Sequence, residues 1–247
     1  MQSTADETGF GPDRRPVVYF LHGLLGTAYA HFGAQIRAWG AGNHQVVPVD
    51  LPGHGRCPLD AGEPYLDRAL DYVLAIVERF GRGQVVAASY LGGPLAVRAA
   101  TARSDLVASL VLTGFAPGLD RAAFIGLLAG FHQLARENPP LAAEYDRLHG
   151  GRWAATLDAF TAHVERDFEG TVLVRPDALA ALDLDTFVCN GSHKSVERAA
   201  AQDAAGMGPR VRGRAIDGAG HIASLDAPDA FTAAVEDFWL APERSVA

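Results

Sequence analysis

Short apolar runs alternate with longer amphipathic stretches along most of the chain. The short runs have the length and β-branched content of strands, whereas a stretch such as 65–80 repeats apolar residues at helical spacing. This alternation is typical of a mostly parallel sheet covered by helices on both faces. Strands are predicted at 17–21, 45–49, 84–88, 106–112, 186–189 and 210–216. The helices that alternate with them are predicted at 27–39, 65–80, 92–102, 196–205 and 228–240.

The alternation stops after Pro117, where one amphipathic stretch follows another with no strand between them. Such a run predicts a helical cap inserted into the α/β core. Its helices are predicted at 121–137, 141–148, 153–168 and 176–182. The expected organisation is a flexible N-terminus at 1–15, a core at 16–116 and 183–242, and the cap at 117–182.

Composition narrows the function classes. A chain of 247 residues with 49% hydrophobic residues can bury one large core. Its net charge of −8 disfavours a nucleic-acid partner, because no excess of basic side chains is available to neutralise phosphates. The sequence shows no signal peptide and no apolar run long enough to span a membrane, so a soluble cytoplasmic protein is expected. Cys57 and Cys189 are expected to be free thiols in that compartment.

The nine histidines show no metal-binding pattern, and no metal or other cofactor is expected. His132, His149 and His163 lie on predicted helices without the i, i+4 pairing that would place two of them on one helical face. His31 and His44 are expected to be ordinary surface or helix-end residues.

Four separated motifs fall at the ends of predicted strands, where ligands bind in sheets of this kind. Two of them follow the first two strands, FLHGLLG at 20–26 and DLPGHG at 50–55. The third, VVAASYLGG at 85–93, has the strand, tight turn and helix start of a nucleophile elbow. The fourth, GAGH at 218–221, ends in His221. Asp50 and His54 are expected to shape their loop rather than to react.

These motifs, in this order, resemble those of the α/β-hydrolase superfamily across almost the whole chain. Within it, the sequence is similar to the pyruvate-eliminating synthase of the menaquinone pathway, whose elbow reads Gly-Tyr-Ser-Leu-Gly-Gly. The resemblance implies an α/β-hydrolase fold and a catalytic role for His221. It also implies an oxyanion hole formed by the backbone N–H of Leu24 and that of the residue after the elbow apex.

The apex of the elbow is predicted to be Tyr90 rather than Ser89. Small residues are needed two positions either side of the apex, and counting from Tyr90 places Ala88 and Gly92 there. Counting from Ser89 would place the branched Leu91 at one flank. With Tyr90 at the apex, Leu91 supplies the second oxyanion-hole N–H.

The acidic residue of the resembled triad is also replaced. The family places an aspartate three residues past a glycine after the strand that follows the cap, and GSHK at 191–194 puts Lys194 there. Either Lys194 has a functional role or it is a solvated surface residue. Asp120, Asp217 and Asp226 are the alternative acids.

Three functions remain open from sequence. The first is cofactor-free acid–base chemistry of lyase, isomerase or cyclase type on an apolar carbonyl-containing small molecule, carried by Tyr90 and His221. It requires a phenol whose pKa, ordinarily near 10, is depressed. The second is an esterase or thioesterase acting through Ser89 or Tyr90, and the third is an inactive binding protein. In all three cases a monomer or homodimer is expected. The pocket is predicted to involve His22, Gly23, Phe115, Phe124, Phe131 and Trp153.

Overall fold

A computed structural model describes residues 15–241 of the chain. Six parallel strands form one sheet in the order β2-β1-β3-β4-β5-β6. The strands are β1 Val17–Leu21, β2 Gln45–Val49, β3 Gly83–Ala88, β4 Val107–Thr113, β5 Asp185–Gly191 and β6 Val211–Ile216. The predicted strands are therefore confirmed to within a few residues at their ends.

Helices cover both faces of this sheet. Those that alternate with the strands are α1 Ala28–Ala41, α2 Tyr65–Phe80, α3 Ser89–Ala102, α9 Ser195–Gln202, α10 Ala223–Asp226 and α11 Pro228–Leu240. A single 3-10 turn, Ala204–Gly206, follows α9. One apolar cluster packs α2 and α3 against one face of the sheet, and a second packs α1 and α11 against the other. The prediction of an α/β fold with helices on both faces is confirmed.

Between β4 and β5 the described elements are all helical, and we call them the helical insert. They are α4 Arg121–Glu137, α5 Pro139–His149, α6 Trp153–Arg166, α7 Phe168–Thr171 and α8 Pro176–Ala180. Phe124, Leu128 and Phe160 of the insert are buried and join the apolar cluster that contains α2 and α3. The insert therefore lies against the core through a continuous apolar contact.

Several smaller predictions have outcomes here. Cys57 and Cys189 are both buried free thiols, as predicted. The proposed flexible N-terminus lies outside the described residues except for Arg15. No helix within residues 15–241 combines the length and apolarity needed to cross a bilayer.

Candidate active site

Ser89 occupies the sharp turn between β3 and α3. Its φ is +60°, in the left-handed region that L residues other than glycine rarely adopt. The preceding strand residues are almost all buried, and Ser89 is the first residue of the helix. Such a strained strand-to-helix turn is what projects a nucleophile from the sheet. Ser89 Oγ lies 3.0 Å from Nε2 of His221.

The prediction that Tyr90 stands at the apex is therefore wrong. The prediction took Gly92 as the small residue two positions after the apex. The small size of Gly92 has another cause, because a Cβ there would lie 2.5 Å from the carbonyl oxygen of Leu21 and 2.8 Å from that of His22. Gly92 thus permits α3 to approach β1 and does not flank the apex. Leu91, two residues after Ser89, is accommodated by turning fully into the core.

A carboxylate that was not predicted from sequence completes a chain of hydrogen bonds. Nδ1–H of His221 donates to Oε1 of Glu197 at 2.7 Å, and Glu197 is only 5% exposed. Glu197 lies in the first turn of α9, where the helix dipole favours a negative charge. Its backbone carbonyl accepts from the Nδ2 amide of buried Asn190 at 2.7 Å, which ties α9 to β5. The sequence contained one signal, since Glu197 is the only acid between residues 190 and 200.

The acid positions considered from sequence lie elsewhere. Lys194 is the exposed residue that precedes α9, at the rim of the cavity described below. Asp120 caps α4 by accepting from Ala123 N–H at 2.8 Å, and Asp226 accepts from Gly220 N–H at 2.8 Å. Asp217 is exposed. Helix α9 begins directly after Lys194, and Glu197 lies in its first turn. The acid is therefore three residues, about one helical turn, beyond the position predicted for it.

Tyr90 faces the same site through its side chain. Its hydroxyl donates to Oε1 of Glu197 at 3.4 Å, and its ring lies nearly parallel to that of His221, with centroids 5.9 Å apart. Burial, and then the nearby Glu197 carboxylate, raise the pKa of the Tyr90 phenol above its ordinary value of 10. This direction is opposite to the depression that a tyrosine acting as an anion requires.

A cavity of about 760 Å³ opens above Ser89 and His221. Its apolar wall comes mainly from the helical insert. That wall consists of Leu119, Phe124, Leu127, Leu128, Phe131 and Phe160. Of the residues predicted for the pocket, Gly23, Phe124 and Phe131 line this cavity. Such a volume and lining suit a small molecule with an extended apolar part.

Three residues predicted to line the pocket lie outside it. Phe115 is buried in the core, where Gly93 leaves room for its ring. Trp153 contacts Tyr145, with ring centroids 5.4 Å apart, and its Nε1–H donates to Asp146. His22 is fully buried, and its ring forms hydrogen bonds with the backbone of Gly23 and Leu51. The aromatic character of a residue alone did not distinguish side chains that line the cavity from side chains that pack elsewhere.

His31, expected to be an ordinary surface or helix-end residue, lines the cavity. Its Nδ1 accepts from the N–H of Gly23 at 3.1 Å, so the proton of the neutral ring resides on Nε2. Burial, together with the nearby His22 and His221, lowers the pKa of His31 to about 3. His31 is therefore a neutral imidazole that fixes the loop after β1.

The loop after β1 and the first turn of α3 both border Ser89. Leu24 lines the cavity on the loop after β1, which packs so tightly on the elbow that a Cβ at Gly23 would lie 2.8 Å from Cβ of Ser89. Tyr90 is the second residue of α3, and N–H groups in the first turn of a helix have no acceptor within the helix. With Ser89 at the apex, the N–H that follows it belongs to Tyr90, which corrects the prediction of Leu91. Among the described residues, no group of three or more His, Cys, Asp or Glu side chains forms a metal site.

Known proteins of similar sequence and structure indicate the family of this chain. The sequence has no significant match among curated proteins. NosK from Streptomyces actuosus is 62% identical and has a TM-score of 0.89, with 91% of this chain and 97% of that chain covered. A thermophilic esterase from Thermogutta terrifontis shares the fold at 20% identity, with a TM-score of 0.69 and coverage of 94% and 90%.

Another structure with this fold is the 2-hydroxy-6-oxo-6-phenylhexa-2,4-dienoate hydrolase from Rhodococcus sp. strain RHA1. It is 17% identical, with a TM-score of 0.70 and coverage of 94% of this chain and 92% of that one. The model of the alpha/beta hydrolase family matches residues 18–234, which include the elbow and His221. This chain belongs to the alpha/beta hydrolase family, and its fold is the alpha/beta-hydrolase fold predicted from sequence.

Proposed function

We propose that this chain is a serine-dependent acyl-transfer enzyme that hydrolyses an ester or thioester with an apolar acyl group. The observation that carries the proposal is the continuous chain of hydrogen bonds from Ser89 Oγ to His221 and from His221 to Glu197. A serine hydroxyl needs such a base to attack an acyl carbon, and the base needs a carboxylate to orient it and to stabilise its cation.

The reaction has two steps. Ser89 Oγ bonds to the acyl carbon while His221 Nε2 takes the hydroxyl proton, and the imidazolium then gives that proton to the departing alcohol or thiol. Water, deprotonated by His221, attacks the acyl-serine, and the acid leaves as Ser89 regains its proton. The N–H groups of Leu24 and Tyr90 stabilise the oxyanion in both steps. We therefore call residues 22–26 the oxyanion loop.

The apolar cavity supports the choice of acyl group. Phe124, Phe131 and Phe160 border the space above Ser89, and the helical insert that carries them acts in this proposal as the cap expected at 117–182. A cap of this kind binds the apolar part of a small-molecule substrate and excludes water from the reacting carbon. The proposal requires no cofactor.

Acid–base chemistry centred on Tyr90, the function favoured from sequence, is not the one we propose. The Tyr90 hydroxyl donates to a carboxylate, and its raised pKa keeps the proton on the phenol. An inactive binding protein is also disfavoured, because such a protein has no need for a bonded Ser89, His221 and Glu197.

The test is labelling with a fluorophosphonate probe, located by peptide mass spectrometry, together with hydrolysis of p-nitrophenyl esters of increasing acyl length. We expect stoichiometric labelling at Ser89, and loss of labelling with at least about a thousandfold lower turnover in Ser89→Ala. Tyr90→Phe should still be labelled. An unlabelled wild-type protein, or turnover that survives Ser89→Ala, would overturn the proposal.

A further inference from the structure

The oxyanion loop contains a strained residue. Leu25 has a φ of +54°, in the left-handed region, although its side chain is branched and buried. Such a conformation is unfavourable for a residue with a side chain and persists only where surrounding contacts impose it. The contacts that hold Leu25 also hold the peptide that it forms with Gly26, whose N–H donates to the Gly23 carbonyl at 3.1 Å. That carbonyl belongs to the same peptide group as Leu24 N–H.

The two backbone groups of Leu25 each bond to a different imidazole. Its N–H donates to Nε2 of His54 at 3.2 Å, and its carbonyl accepts from Nε2–H of His149 at 3.1 Å. The Gly23 carbonyl, two residues before Leu25, accepts from Nδ1–H of His22 at 2.8 Å. Because the N–H and C=O of a trans peptide point in opposite directions, fixing the Gly23 carbonyl directs Leu24 N–H away from His22.

His149 differs from the other two because it belongs to the helical insert. It is the last residue of α5 and is fully buried. Its Nδ1 accepts from Gly55 N–H at 3.1 Å, which leaves the ring proton on Nε2 for the Leu25 carbonyl. One side chain thus joins the insert, the loop after β2 and the oxyanion loop.

The His149 ring is also held by its neighbours. It stands edge-on to the His54 ring at a centroid distance of 5.3 Å and an interplanar angle of 88°. Arg152, three residues later, donates to the His149 carbonyl at 3.0 Å and to the Gly55 carbonyl at 2.9 Å. The bond to Leu25 therefore depends on the insert being seated on the core.

We propose that His149 is a positioning residue that couples the seating of the helical insert to the orientation of the oxyanion-hole N–H of Leu24. This inference rests on the proposed function, since it assigns His149 a role in stabilising the oxyanion. When the insert lifts, Leu25 loses its carbonyl partner, its strained backbone relaxes and the oxyanion hole loses its alignment. Catalytic competence is then restricted to the state in which the insert covers the bound substrate.

Three variants of His149 separate this role from a general structural one. In a glutamine the side-chain amide reaches the position of Nε2, so His149→Gln keeps a donor for the Leu25 carbonyl. The shorter asparagine reaches only the position of Nδ1, so His149→Asn keeps the acceptor for Gly55 and loses the donor. His149→Ala loses both. A matched control is Thr156→Val, which removes the 3.1 Å bond from the insert to the Gly53 carbonyl and the 2.9 Å bond to the Arg152 carbonyl, neither of which involves the oxyanion loop.

The measurements are the rate constant of fluorophosphonate labelling at Ser89, the kcat and KM for a p-nitrophenyl ester, and the unfolding temperature. Displacing one oxyanion-hole donor should slow labelling and kcat by about 10- to 100-fold in His149→Ala and His149→Asn, with KM within about threefold of wild type. His149→Gln should recover to within about threefold of wild type. Thr156→Val should lower the unfolding temperature without slowing labelling.

Equal labelling of His149→Asn and His149→Gln would overturn the inference, as would a Thr156→Val variant that slows labelling as much as His149→Ala does. The proposed function is tested separately by the wild-type protein. If the wild type is labelled at Ser89 and His149→Ala is labelled equally fast, only the role of His149 fails. If the wild type is not labelled at all, the proposed function itself fails.

Discussion

The hydroxyl of Tyr90 donates to the Oε1 atom of Glu197, the same carboxylate oxygen that accepts from His221. The other oxygen, Oε2, is buried and has no partner among the described residues. One carboxylate atom therefore serves both the imidazole and the phenol. Tyr90 thus supplies its backbone N–H to the proposed oxyanion hole and its side-chain hydroxyl to the Glu197 carboxylate.

Replacing Tyr90 by phenylalanine should change the pH dependence of catalysis. Without the phenol, less of the Glu197 charge is offset, and that charge stabilises the imidazolium of His221 more strongly. We expect the acidic limb of the kcat/KM profile to move to higher pH, and kcat to fall by up to about tenfold, the worth of one hydrogen bond. The profile is measured between pH 5 and 9 with a p-nitrophenyl ester. A lower kcat with an unmoved limb would show that Tyr90 only packs.

Glu197 should be the acid on which turnover depends. In Glu197→Gln the side chain is uncharged and its amide can present a donor to His221, which disturbs the tautomer that accepts the Ser89 proton. We expect kcat to fall by about 10³- to 10⁴-fold with little change in KM. Asp217→Asn is the control, because Asp217 is exposed and should leave turnover unchanged. The measurement is kcat and KM for the two purified variants. Near-normal turnover in Glu197→Gln would refute the assignment of Glu197 as the acid that supports His221.

Two helical glycines should respond to alanine in opposite directions. In Gly92→Ala the new Cβ would lie 2.5 Å from the Leu21 carbonyl oxygen, so α3 must move away from β1. We expect a loss of about 3 kcal/mol in the free energy of unfolding. Gly126 lies exposed within α4, and nothing would lie within 4 Å of its Cβ. Gly126→Ala should therefore gain about 0.5–1 kcal/mol. Urea unfolding measures both, and equal effects would contradict the close approach of α3 to β1.

Acid should destabilise the protein through its buried histidines. Burial lowers the pKa of His22 to about 4 and that of His31 to about 3, and it also lowers the pKa values of His54 and His149. The unfolded chain binds protons to these rings near pH 6.5, whereas the folded chain does not. Stability is therefore full above about pH 6.5 and declines as the pH falls towards 4, by up to about 1.4 kcal/mol per pH unit for each ring.

Urea unfolding at pH 7.5, 6.0, 5.0 and 4.5 tests this expectation. His54→Gln keeps an acceptor at the position that receives Leu25 N–H but cannot titrate. Its stability should depend on pH less steeply than that of the wild type, by about one proton. An identical slope in the two proteins would show that His54 does not titrate on unfolding in this range.

Hydrophobic periodicity was sufficient for the sheet and its helices. Strand β1 and helix α2 begin and end at the predicted residues, because burying an apolar run or an amphipathic face is a local property of the sequence. The motifs ending at Gly26 and His221 likewise fall at strand ends, since parallel strands bring their carboxyl ends to one edge. The placement of His221 next to the elbow follows from that topology.

The side chain at the apex was decided by packing between elements. Ser89 and Tyr90 are adjacent, so the choice between them depended on whether Gly92 is small because it flanks the apex. Gly92 is small because it touches the backbone of a strand about seventy residues earlier. Glu197 and His149 were missed for the same reason. Each acts through a contact with a residue far away in sequence, at 24 positions for His221 and 124 for Leu25. A linear pattern records which residues can be buried, but only the folded chain determines which polar atoms meet there, because each buried polar group must find its partner in space.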